Sequence, residues 1–391
     1  MITQASSDLE LSAELMARFA EATGLEGPAP PRRYLWTDAF AVCNYLGLHR
    51  ALGDARYLDL ALNLVDQVHH VLGRHRPDDS RQGWISGLSE EAGERHPTRG
   101  GLRIGKPLPE RQPGEIFDPR LEWERDGQYF HYLTQWMHAL ERVSEETGRA
   151  LFHRWAVELA ATAHAAFTAG PPTEESGGRR RLAWKMSIAL DRPLVSSMGQ
   201  HDPLDAWLAY LELEQSPLPA AEEERPRSLG SEIAEAREIC RHVSWVTDDA
   251  LGAGSLLVAA HKLARLELRG GVEDEGMLEQ VVEVAAVSTA AVAASKFQEA
   301  SAEHRLAFRE LGLAIGLHAA GRMREAIRSR PGFPADGMLS TIGYHLAMGA
   351  AIERFWSKPI HRDNATWREH EDINAVMLAT SVAPEGYLGP H

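Results

Sequence analysis

Between Glu122 and Leu140 the chain sets Glu122, Trp123, Glu124, Arg125 and Asp126 directly before Gln128, Tyr129, His131 and Tyr132. Carboxylates and imidazoles beside aromatic rings are the parts of proton-transfer chemistry: a donor, an acceptor and a flat surface to hold what reacts. Comparable groupings recur where further helices are expected to begin: Trp36 with Asp38, His201 with Asp202 and Asp205, Trp245 with Asp248 and Asp249, and Tyr344 with His345. Cleavage of an acetal needs one carboxylic acid to protonate the leaving oxygen and a second carboxylate to activate water or attack carbon. Asp126 with Asp202, Asp205 or Asp38 is the pair this pattern offers, with Glu122 and Glu124 in reserve.

Each acid also has a purely structural reading. Asp202 precedes Pro203, a residue favoured at the first helical position, so capping and the helix dipole account for Asp202 and Asp205. The same holds for Asp38, Asp126 and Asp249. Capping does not, however, call for the neighbouring Trp, Tyr and His. Of the tryptophans, Trp36, Trp84, Trp123, Trp184 and Trp245 fall in loops or at helix starts, where they either pin a loop or face a ligand.

The elements that must position these groups are helices. Apolar periodicity marks helices over residues 8–23, 37–52 and 57–72, the last with Leu58, Ala61, Leu62, Val65 and Val68 inward. Residues 73–121 break the pattern with six prolines and many glycines. A loop of that length is usually functional, and its Trp84 and Ile85 favour an ordered one. A helix is expected from Asp126, carrying Tyr129, Tyr132, Leu133, Trp136 and Leu140 as its apolar stripe; a turn at Thr147-Gly148 then leads to a helix over 151–167. Further hairpins follow: 203–213 with 231–240, 251–268 with 277–296, 304–319 with a short helix from Arg322, and 340–355 with 367–381. Convincing alternating strands are absent.

The formal net charge of −15 argues against nucleic acid, whose phosphates need clustered Lys and Arg. Cys43 and Cys240, both beside apolar residues, read as reduced buried thiols. With no apolar, basic-flanked N-terminal segment, a cytoplasmic home is expected. The weakly polar stretch 281–294 is too short to span a bilayer. His131 and His138 share a helix face, but no metal-binding motif supports them, and no metal or cofactor is expected. Gly100 to Lys106 lacks the ending of a phosphate loop and reads first as a solvated loop, with binding of an anionic group such as a uronate or phosphate by Arg99, Arg103 and Lys106 as the second reading.

About twelve helices in hairpins with long loops on one side, carrying the acidic and aromatic residues above, resemble the six-hairpin glycosidase superfamily, whose (α/α)6 toroids include glycoside hydrolases and N-acylglucosamine and cellobiose 2-epimerases. The resemblance implies an all-α, single-domain toroid over residues 1–391 with a loop insertion at 73–121. It implies that alternate helix starts converge on one cleft, with Trp36, Trp84, Glu122, Tyr129, His131, Trp184, Lys185, Trp245 and Tyr344 around a carbohydrate-like small molecule. In a hydrolase of this kind the paired carboxylates carry the reaction. The superfamily's epimerases use histidines instead, which places that role on His131, His201 and His345. A non-catalytic toroid that binds a small molecule or a protein is the third reading, since fold does not fix function. Neither nucleic acid nor membrane is an expected partner; a homo-oligomer is compatible.

Overall fold

The computed structural model describes residues 2–168, 180–195, 197–217, 226–270, 276–328 and 336–389. They are overwhelmingly helical, as the periodicity requires. The chain divides into two compact units, one of residues 20–46 and 55–243, the other of residues 1–19, 47–54 and 244–391.

The helix α1 (Ile2–Ala22) precedes α2 (Leu35–Leu52), α3 (Ala55–Leu72) and the short α4 (Glu90–Arg95) and α5 (Pro119–Glu124). A small antiparallel sheet of β1 (Gln128–Tyr129), β2 (Lys185–Met186) and β3 (Pro193–Val195) brackets α6 (Phe130–Thr147) and α7 (Ala150–Phe167); then come α8 (Asp202–Glu214) and α9 (Gly230–Cys240). In the first unit α6 packs on α7 and α8, and α8 on α9. The ends have local causes. At α2 the Asp38 carboxylate accepts the Tyr34 N–H at 2.8 Å, satisfying a donor the helix itself leaves open. At α6 the chain leaves through Gly148 at φ 67°, whose N–H returns to the Ser144 carbonyl, a left-handed stop that suits glycine.

Two expectations shift here. The helix expected from Asp126 begins at Phe130, because Gln128 and Tyr129 are drawn into the sheet, paired with Met186 and Lys185. The buried face of α3 is rotated: Ala61, Val65 and Val68 are buried as expected, but they are joined by Tyr57, Leu60 and Leu64, while Leu58 and Leu62 are only half-buried.

The second unit contains α10 (Ala250–Leu268), α11 (Met277–Ala294), α12 (Ala307–Arg328), α13 (Asp336–Gly343), α14 (Leu346–Trp356), α15 (Pro359–Arg362), α16 (Ala365–Glu369), α17 (Glu371–Val382) and α18 (Glu385–Leu388). The expected break near Arg322 is absent, since α12 runs through Gly321 unbroken, and Ser340 belongs to α13 rather than to α14. The stretch Met277–Glu299 contains a window of mean hydropathy 1.4 and is long and apolar enough to cross a membrane by length and composition, which corrects the shorter span read from the sequence; half of that window is buried.

The unit turns on the α10–α12 crossing. A Cβ added at Gly254 would stand 2.2 Å from the Gly312 carbonyl oxygen, and one at Gly316 would stand 2.5 Å from that of Gly254. The two backbones therefore touch, and a methyl group at the contact must force them apart. Gly254→Ala is expected to cost about 1–3 kcal/mol of unfolding free energy by overpacking. Gly321→Ala, in α12 with open space where its Cβ would be, is expected to gain up to about 1 kcal/mol from helix propensity; denaturant unfolding of both variants measures the contrast.

Candidate functional site

The loop and ribbon around α5 and β1 contain most of the charged residues the sequence singles out, and the structure commits nearly all of them to one another. Asp126 is fully buried. Its carboxylate takes Arg103 Nη1 at 2.5 Å, Arg76 Nη1 at 3.4 Å, and the backbone N–H groups of Gly105, Gly127 and Lys106 at 3.0, 3.1 and 3.3 Å. Arg103 also donates to the carbonyls of Val71 and Arg74, tying the loop to the end of α3. With its oxygens occupied this way, Asp126 holds the loop and is not placed to move a proton; neither does it cap a helix.

Lys185 and Glu122 form a second closed set. The Lys185 Nζ donates to Glu122 Oε1, the Glu122 carbonyl and the Arg125 carbonyl, each at 2.8 Å, which uses all of its hydrogens. The other Glu122 oxygen takes Arg111 Nε at 2.9 Å. Both side chains are buried, so the expectation that they touch a ligand is corrected: they join α5 to β2. Trp84 is likewise buried, under the Arg74 guanidinium and against Gly93, where an added Cβ would overlap its ring. It anchors the loop.

What remains is an aromatic cluster gathered by the starts of α2 and α6, with Trp123 of α5 and Trp184 just before β2. Tyr34 and Tyr132 share a hydroxyl–hydroxyl hydrogen bond of 2.5 Å, and Trp36 approaches Tyr132 with ring centroids 6.5 Å apart. Tyr129 stacks between Trp184, at 5.2 Å, and His131, at 5.5 Å. Trp123, 51% exposed, extends the row from Trp184, and the Lys106 ammonium lies 4.8 Å from its ring centre and 5.5 Å from that of Tyr34. Tyr34, Lys106, Trp123 and Tyr132 thus complete a group of which the sequence reading had named Trp36, Tyr129, His131 and Trp184 as ligand contacts. Only the recurrence of aromatics before helix starts could have flagged Tyr34.

Beside this cluster His131 and Asp202 face each other. The His131 side chain, 30% exposed, brings Nδ1 to 3.8 Å from Asp202 Oδ1, too far for a hydrogen bond. Among the described residues neither His131 Nδ1 nor Asp202 Oδ2 has a hydrogen-bond partner. Burial lowers the His131 imidazole to about 4, so it is neutral at pH 7. Burial, and then the Asp205 charge, raise the Asp202 carboxyl well above the usual range. Burial likewise raises Tyr34 to about 12. Asp205 lies in the first turn of α8 and His201 at its N-cap, both half-buried; the Asp202 side chain does not cap the helix. Asp38 is buried and serves the start of α2, with Arg33 3.5 Å away.

The second unit does not gather its expected residues at one end. Trp245 is buried core, and Asp249 caps α10 through Gly252 N–H at 2.9 Å while pairing with Arg309 at the start of α12. Tyr344, 85% exposed, and His345 precede α14, which runs against α12: Trp356 at the far end of α14 donates to Glu310 at the start of α12. Tyr344 and His345 therefore lie at the opposite end from Asp249, because α14 runs antiparallel to α12.

Asp126→Asn is expected to act through stability, since it leaves the Arg103 guanidinium buried without its counter-ion. A loss of about 3–5 kcal/mol is the usual scale for breaking such a pair. Urea unfolding measures it, and an unchanged midpoint with activity abolished would instead restore a catalytic role.

No protein-family model matches the chain, and no curated protein matches it. Among solved structures it is similar to the cellobiose 2-epimerase from Bacillus thermoamylovorans B4167, at 8% identity and a TM-score of 0.42 over 81% of this chain and 76% of that one. It is also similar to a sugar epimerase from a ruminal bacterium, at 12% identity and a TM-score of 0.41 over 81% of this chain and 75% of that one. Similarity at this level transfers no reaction and no residue role.

Proposed function

We propose that the His131–Asp202 site catalyses proton transfer on a small carbohydrate, as a sugar 2-epimerase or isomerase. The observation that carries this reading is the neutral imidazole whose Nδ1 has no partner among the described residues, 3.8 Å from a carboxyl and stacked against Tyr129. A neutral imidazole takes a proton, whereas a carboxyl held above its usual range gives one. On an open-chain aldose, His131 removes the proton from the carbon next to the carbonyl and Asp202 donates a hydrogen bond to the carbonyl oxygen as it gains charge. Return of a proton to the opposite face of the same carbon gives the epimer; return to the neighbouring carbon gives the ketose. His201, at the start of α8, is the second imidazole at this end of the unit. The Tyr129–Trp184 stack supplies a flat apolar wall for the C–H face of the sugar.

Hydrolysis is the second reading, and one observation favours it: a leaving-group acid requires a carboxyl held above its usual range, as burial holds Asp202. It loses the partner first expected for it, since Asp126 is spent on Arg103. Asp205 would then have to serve.

In heavy water, the epimerase reading expects deuterium at the second carbon of a turned-over aldose, read by NMR. His131→Asn is expected to slow that exchange by about 10²–10⁴, the usual worth of a positioned base. The rate should fall as the pH drops through about 4, where His131 becomes protonated, and fall again at high pH when the Asp202 carboxyl ionises. Release of nitrophenol from aryl glycosides without any exchange, abolished by Asp202→Asn, would favour hydrolysis instead.

A further inference from the structure

Lys106 is the cation of the aromatic cluster, and its ammonium lies within ion-pair distance of no carboxylate among the described residues. Its backbone is fixed: the N–H donates to Asp126 Oδ1 at 3.3 Å, the carbonyl accepts from Arg76 Nη1 at 2.7 Å, and Gly105 before it turns at φ 93°. The side chain is half-buried, with Nζ between the rings of Tyr34 and Trp123. Two acids act on it only through space. Asp126 is already committed to Arg103, and Glu124 points from the exposed side of α5. The nearby Lys185, by contrast, is fully satisfied by Glu122. Ring faces offset only part of the loss of water from an ammonium. A half-buried positive charge with no counter-ion in reach among the described residues, beside an exposed tryptophan, would thus be stabilised by an anion.

We propose that Lys106 receives an anionic substituent of the substrate, a carboxylate or a phosphate carried on the sugar; this deepens the reading of the His131 site and rests on it. With a net charge of −15 the protein as a whole repels anions, so the attraction is local. Other cations in this loop are spent, Arg103 on Asp126 and Arg111 on Glu122, which leaves Lys106 to distinguish an acidic sugar from a neutral one.

Calorimetric titration with glucuronate, glucose 6-phosphate, glucose and inorganic phosphate tests this. One of the two acidic sugars is expected to bind at least about tenfold tighter than glucose, the scale of one charge-assisted hydrogen bond. Lys106→Met is expected to abolish that preference and Lys106→Arg to keep it. The preferred acid identifies the substituent. Lys106→Met removes an unpaired charge and leaves the backbone bonds, so it is expected to melt no lower than the wild type. Equal affinity for glucose, an unchanged preference in Lys106→Met, no binding of either acid, or inorganic phosphate binding as tightly as the sugar phosphate would each overturn the proposal. Lys106-dependent binding without deuterium exchange would sustain it while overturning the acid–base reading, and exchange on glucose with no preference for an acid would do the reverse.

Discussion

The buried Asp126 carboxylate is the constraint on which the site depends. Removing a carboxylate from water is costly unless charge and hydrogen bonds replace the solvent, and here two guanidinium groups and three backbone N–H groups do so. The consequence is geometric. Arg103 carries the connection back to α3, Gly105 and Lys106 are held by their N–H groups, and β1 begins two residues after Asp126 with Gln128, itself bonded to Gly100, Leu102 and Ile188. A long segment rich in glycine and proline is thereby given one conformation, and Tyr129, His131 and Lys106 inherit fixed places from it.

Satisfied and unsatisfied charged groups stand side by side around the aromatic cluster. Asp126, Glu122, Lys185, Arg103 and Arg111 have their bonding capacity used internally, and they act as structure. His131, Asp202 and Lys106 stand next to them with capacity unused and with their charged forms disfavoured by burial. Leaving such groups without partners costs stability, and that cost is more often met at a functional site than elsewhere.

The three helix starts contribute unequally. From α2 come Tyr34 and Trp36, while Asp38 is turned inward to the helix start. From the start of α6 come the imidazole and Tyr132, with Tyr129 just before it, and from α8 the carboxyl. Because Tyr129 belongs to β1 rather than to the helix, the sheet determines the angle at which its ring meets Trp184 and His131. A platform built on a hydrogen-bonded strand at the mouth of a helix is stiffer than one built on a loop.

Local rules were enough to read the helices and many of their ends from the sequence. The stop at Gly148, the cap at Asp249 and the hairpins of α6 with α7, α8 with α9 and α10 with α11 all follow from apolar period and turn residues, which act over a few positions. The grouping of acids, imidazoles and aromatics at helix starts was also legible, and His131 and Asp202 are among the residues it names. Which acids were spent was not. Asp126 meets Arg103 and Arg76 from 23 and 50 residues away, and Lys185 meets Glu122 across 63. A buried ion pair leaves no period in the sequence, because its partners are joined by the fold and not by spacing. The antiparallel course of α14, which puts Tyr344 and His345 at the far end, was hidden for the same reason: helix direction depends on how the chain turns in space, whereas residue preference at a helix start is alike whichever way the helix points.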